Sequence, residues 1–234
     1  MAKVDWRAIP WGAREVFVYI LLLVAALIAL IFLTSLLGFL LVPLSPMLAI
    51  LLAALAQGAV MVALIFLPRG VRGKEAWRNL GLGAISRIPW LKGLGGGLGL
   101  LAASWLYGLV VSHFVEEVPT QAIIEQFMEF QTLSGMLVFG FLVVILAPVT
   151  EELVFRGFIF GGVRNNLGFW GAALFSSLAF TVIHLSFHWV PFIQILILGV
   201  GLAWLYEASR NLLAPMLAHA VYNLAIAILL VVSG

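Results

Sequence analysis

The 234-residue chain is 64% hydrophobic and 9% charged, with a mean hydropathy of +1.19, where soluble domains are roughly half apolar and a quarter charged. This composition excludes a soluble globular protein, and a formal charge of +2 is too small to mark a nucleic-acid binder. With no cysteine there are no disulfides and no thiolate nucleophiles or ligands, so any chemistry must come from carboxylates, histidines or hydroxyls.

At about 20 residues per crossing, the chain holds about seven membrane spans, with room for an eighth, and leaves none for a soluble domain. Residues 1–234 therefore read as one all-α, polytopic transmembrane bundle. Apolar runs place the spans at about 16–42, 46–67, 93–112, 133–163, 168–187, 190–206 and 211–232. The first run follows Lys3, Arg7 and Arg14 but is too long for the apolar core of a signal peptide, so it counts as a span. The loop 68–92 carries Arg69, Arg72, Lys74, Arg78, Arg87 and Lys92 against the single acid Glu75. The loop 113–132 carries Glu116, Glu117, Glu125 and Glu129 and no Lys or Arg. By the positive-inside rule the first loop is cytoplasmic and the second external. Arg156, Arg164 and Arg210 fall toward the same side, so all twelve basic residues agree on a cytoplasmic N-terminus. Chain size points to a prokaryotic plasma membrane.

Small residues at helical spacing in KGLGGGLGLLAASWLYG (92–108) predict close helix packing. In QAIIEQFMEFQ (121–131), Ile123, Ile124, Phe127 and Met128 share a face opposite Glu125 and Glu129, as in a helix lying at the membrane interface. His113 and His188 fall at the predicted outer interface and stay outside the candidate site.

The charged stretch APVTEELVFRG (147–157) is out of place in an apolar span. Glu151 and Glu152 point about 100° apart on a helix, whereas Glu152 and Arg156, four apart, pair on one side. That division suggests one working carboxylate and one structural ion pair. A cluster snorkelling at the span end would account for the charges alone, but His184 and His219 lie in the following apolar runs and also need partners. His219 and Asn223 share a helix face and can aim two donors at one spot. Glu151 and His184 lie about equally far from the polar turn RNNLG (164–168), so a helical hairpin brings them to similar heights. A carboxylate and an imidazole around one water form a general base, and His219 with Asn223 can stabilise an oxyanion. His219, only about 12 Å from Asn211 along its helix, sits too low unless the hairpin projects about 10 Å into the cytoplasm.

EELVFR, FTVIH and HAVYN are similar, in order and spacing, to the EExxxR, FxxxH and HxxxN motifs of the CAAX-protease and bacteriocin-processing family of intramembrane proteases. The resemblance covers about 135–230. It implies an endopeptidase of the prenyl-protein (type II CAAX) kind that hydrolyses membrane-associated proteins or peptides, prenylated or not. Glu151 and His184 would activate water, His219 and Asn223 would hold the oxyanion, and Glu152, Arg156 and Phe180 would support them. It also implies a cavity open toward the cytoplasm. No cofactor is needed on this reading; the metal alternative would place zinc on Glu151, His184 and His219. Two rivals remain at this point: a proton- or cation-coupled transporter using the same buried groups, and a non-catalytic immunity or scaffold protein.

Overall fold

The computed structural model describes residues 4–41, 46–67, 74–82, 87–115, 132–184 and 188–233. Loops 68–73, 83–86 and 116–131, with the expected interfacial helix, lie outside the described residues. The chain is all-α with no strand among the described residues. A short 3-10 turn, Trp6–Ala8, precedes α1 (Ala13–Leu41), α2 (Pro46–Ile65), α3 (Lys74–Asn79) and α4 (Arg87–Val111). Then come α5 (Leu133–Gly140), a first π segment (Phe141–Leu146), α6 (Ala147–Glu152), a second π segment (Leu153–Phe160) and α7 (Gly161–Ile183). Helices α8 (Trp189–Ser209) and α9 (Leu213–Ser233) complete the bundle.

The helical stretch from Leu133 to Ile183 runs for 51 residues, too long for one crossing. It is broken at Gly168, whose φ of 68° and ψ of −177° lie in a region open essentially to glycine alone. The chain reverses there. The rings of Phe155 and Phe180 meet edge to face at 5.3 Å between centroids, where one straight helix would hold them about 37 Å apart. With this hairpin counted as two crossings, the chain makes the seven expected.

The hairpin tip is tied to its neighbours. Arg164 makes two hydrogen bonds to Glu207 in the last turns of α8, at 2.8 and 3.0 Å, and Asn165 donates to the Trp6 carbonyl. The tip therefore stands beside the end of α8. The second π segment, whose i→i+5 bonding gives wider turns and a smaller advance per residue than an α-helix, shortens the run from Glu151 to the tip.

The glycine-rich helix packs as its spacing predicts. A Cβ on Gly93 would come within 2.8 Å of Leu217 Cβ, and one on Gly97 within 2.8 Å of Val221 and 2.9 Å of the Ala218 carbonyl. Both face α9 one turn apart, while Gly95 and Gly99 meet nothing within 4 Å. Overpacking costs about 1–3 kcal/mol, so Gly97→Val should lower thermal stability in detergent, whereas Gly99→Ala should be neutral or slightly stabilising. Equal losses in the two variants would contradict this packing.

Candidate active site

The site is built around a proline. Pro148 lies inside the helical run, has no N–H and crowds the preceding turn. The chain widens just before it: the Ala147 N–H bonds back five residues to the Leu142 carbonyl. The Val143 carbonyl is thus left without either helical donor, since Ala147 bonds to Leu142 and Pro148 cannot donate. Asn223 Nδ2 on α9 supplies the missing donor at 2.8 Å. One Asn223 N–H is thereby fixed, and its second has no hydrogen-bond acceptor among the described residues at the cavity wall.

Glu152 pairs with Arg156 as their spacing predicts, and it has a second partner. It is fully buried, and its Oε1 accepts from Arg156 Nη1 at 2.9 Å and from His219 Nδ1 at 3.0 Å. Arg156 is equally buried, donates from Nη2 to the Gly199 carbonyl at 2.9 Å, and lies over the Phe180 ring at 4.6 Å. Because the carboxylate can only accept, His219 carries its proton on Nδ1 and turns Nε2 toward Glu151, whose Oε2 is 3.9 Å away. Phe180 also packs against both histidines, with ring centroids 4.6 Å from His184 and 5.8 Å from His219. His184 Nδ1 donates to the Phe180 carbonyl at 2.7 Å, leaving Nε2 as an acceptor.

Glu151, His184, His219 and Asn223 all line one cavity of about 400 Å³. Its other walls are mainly apolar, with Gln57, Gln194 and Tyr222 as further polar groups. An adjoining hollow of about 390 Å³ between α2 and the first π segment shares Gln57 and Glu151, so Glu151 is approached from two sides. Gln194 belongs to a network the sequence reading missed: its Nε2 donates to Ser104 Oγ at 2.7 Å and Tyr222 OH at 3.3 Å, and the two hydroxyls are 2.9 Å apart. Lone polar residues in apolar spans were the signal. No three His, Asp or Glu side chains among the described residues are grouped to hold a metal ion, so the zinc set of Glu151, His184 and His219 is not assembled in this geometry. His113 bonds its own helix at Leu109, and His188 caps α8 by accepting from the Val190 N–H; neither lines the cavity.

The cavity has a direction along the bundle. From Glu151 the lining runs back toward Phe139 on α5, and from His219 it runs forward to Leu230 on α9, toward the ends of these elements remote from the basic residues. In the other direction, residues 152–163 are buried without a break. Trp6, Phe160 and Tyr206 close that end in a cluster of edge-to-face rings with centroids 5.2–5.8 Å apart. Tyr206 OH bonds the Leu80 carbonyl, and Trp11 Nε1 the Phe158 carbonyl. Among the described residues, the cavity lining therefore runs away from the basic end.

Residues 133–225 match the family model described as Type II CAAX prenyl endopeptidase Rce1-like. Among curated proteins, the chain is similar to "UPF0177 protein YxdF" of Lactococcus lactis, at 35% identity over 34% of this chain and 43% of the relative. It is also similar to "Putative membrane peptidase YdiL" of Bacillus subtilis, at 30% identity over 36% of this chain and 34% of the relative. The "Uncharacterized protein YpbD" of Bacillus subtilis shares 32% identity over 34% of this chain and 39% of the relative. The match thus covers less than half the length of each of these relatives. No solved structure matches the chain significantly.

Proposed function

We propose, from the match of residues 133–225 to the Rce1-like family model, that the chain belongs to the CAAX-protease and bacteriocin-processing group and is an intramembrane endopeptidase working without metal on membrane-associated proteins or peptides, prenylated or not. The observation that carries this reading is the meeting of Glu151, His184, His219 and Asn223 at one cavity, from three separate segments of the chain. Water between Glu151 and Nε2 of His184 attacks the peptide carbonyl carbon and leaves its proton on that base. The second Asn223 N–H and His219 donate to the oxyanion; with Nδ1–H held by Glu152, His219 must carry a second proton on Nε2 to do so. Collapse of the intermediate breaks the C–N bond, and the proton passes to the leaving amine. Glu152 orients His219 as the acid of a catalytic triad orients its imidazole, and Arg156 holds Glu152.

The metal-free mechanism has a direct test. Exhaustive chelation followed by elemental analysis should leave active protein with no stoichiometric metal. A zinc whose removal and return switches hydrolysis off and on would overturn this mechanism.

A further inference from the structure

We infer that the enzyme acts from the extracytoplasmic face, on the outer end of a membrane-anchored protein or on an exported peptide that enters the cavity as a single extended strand. The inference rests on the peptidase reading above and adds the side and shape of the substrate. Two independent observations meet in it. The first is charge: Arg7, Arg14, Lys92, Arg164 and Arg210 lie at one end of the described bundle, the end of the hairpin tip and of the α8–α9 connection, and the positive-inside rule makes that end cytoplasmic. Lys92 Nζ bonds the Ala208 carbonyl, and Arg210 lies over Trp6 at 5.7 Å, so these charges are built into that end of the fold. The second is access: the same end is sealed by the Trp6, Phe160 and Tyr206 cluster, while the cavity runs from His219 past Tyr222 and Ile226 to Leu230, toward the opposite end.

The dimensions limit what can enter. Leu230 lies three helical turns beyond His219, about 17 Å. An extended chain spans that depth with about five residues. A helix could not use the site, because its carbonyls are bonded and its backbone shielded, whereas a strand presents its carbonyl to Glu151 at the cavity floor. Side chains pass along the apolar walls, and an attached lipid chain has the adjoining hollow beside α2.

The absence of native cysteine allows the side to be read directly. Leu230→Cys and Ala227→Cys report the cavity mouth, and Asn166→Cys, at the exposed hairpin tip, reports the basic end. In right-side-out vesicles a membrane-impermeant maleimide should modify the two mouth cysteines and spare Asn166→Cys, and inverted vesicles should give the reverse. A quenched, membrane-impermeant peptide should be hydrolysed when added outside right-side-out vesicles, and not by the Glu151→Gln protein. Mouth cysteines labelled only in inverted vesicles, with Glu151-dependent hydrolysis there, would overturn the sidedness and leave the peptidase reading intact. The expected labelling with no hydrolysis from either side would instead defeat the peptidase reading, and the proposed substrate with it.

Discussion

Glu151→Gln should lower peptide hydrolysis by at least about 100-fold, the usual scale for a lost general base, while the protein unfolds at an unchanged temperature. The reason is position. Glu151 lines the cavity and is only partly buried, and the amide keeps its shape, so folding loses little while water loses its base. Glu152→Gln, one residue on, should behave differently. It removes the buried anion shared by Arg156 and His219, so stability should fall along with activity. An amide at 152 also holds the His219 ring by a weaker, uncharged hydrogen bond, which loosens the aim of Nε2. A stable, inactive Glu152→Gln protein beside an active Glu151→Gln protein would show the two roles assigned the wrong way round.

The second large effect is at Arg156. Arg156→Met should cost about 3–5 kcal/mol of stability, because it removes the cation from a fully buried carboxylate and leaves His219 as its one partner among the described residues. The Gly199 carbonyl loses its donor in the same step. Thermal or denaturant unfolding in detergent reads the loss. The double variant Glu152→Gln with Arg156→Met should lose clearly less than the two single losses added, since the stranded charge is gone. Strict additivity would mean that the pair contributes nothing as a pair.

Much of the fold was legible because the bilayer imposes long apolar runs that composition exposes directly. The break at Gly168 was legible too, since a glycine closing RNNLG in an apolar run marks a reversal. Helical spacing gave the Glu152–Arg156 pair and the shared face of His219 and Asn223. It could not give the Glu152–His219 bond, which joins residues 67 apart in sequence and follows from packing. The π segments escaped because they have no periodicity of their own; Pro148 inside the helix was their only local sign. The cavity's direction escaped because it depends on which end the aromatic rings seal. Trp6, Phe160 and Tyr206 are scattered over 200 residues and gather only in three dimensions.

The central claim is that this chain splits peptide bonds with a water activated at Glu151. Its most direct test incubates detergent-purified protein with prenylated and unprenylated membrane-segment peptides in ¹⁸O-labelled water, followed by mass spectrometry. The account predicts cleavage with one ¹⁸O in the new carboxylate, no trapped acyl-enzyme, and no product from Glu151→Gln. Intact peptides throughout, with Glu151-dependent proton or cation flux in proteoliposomes, would contradict it and make the buried groups those of a transporter.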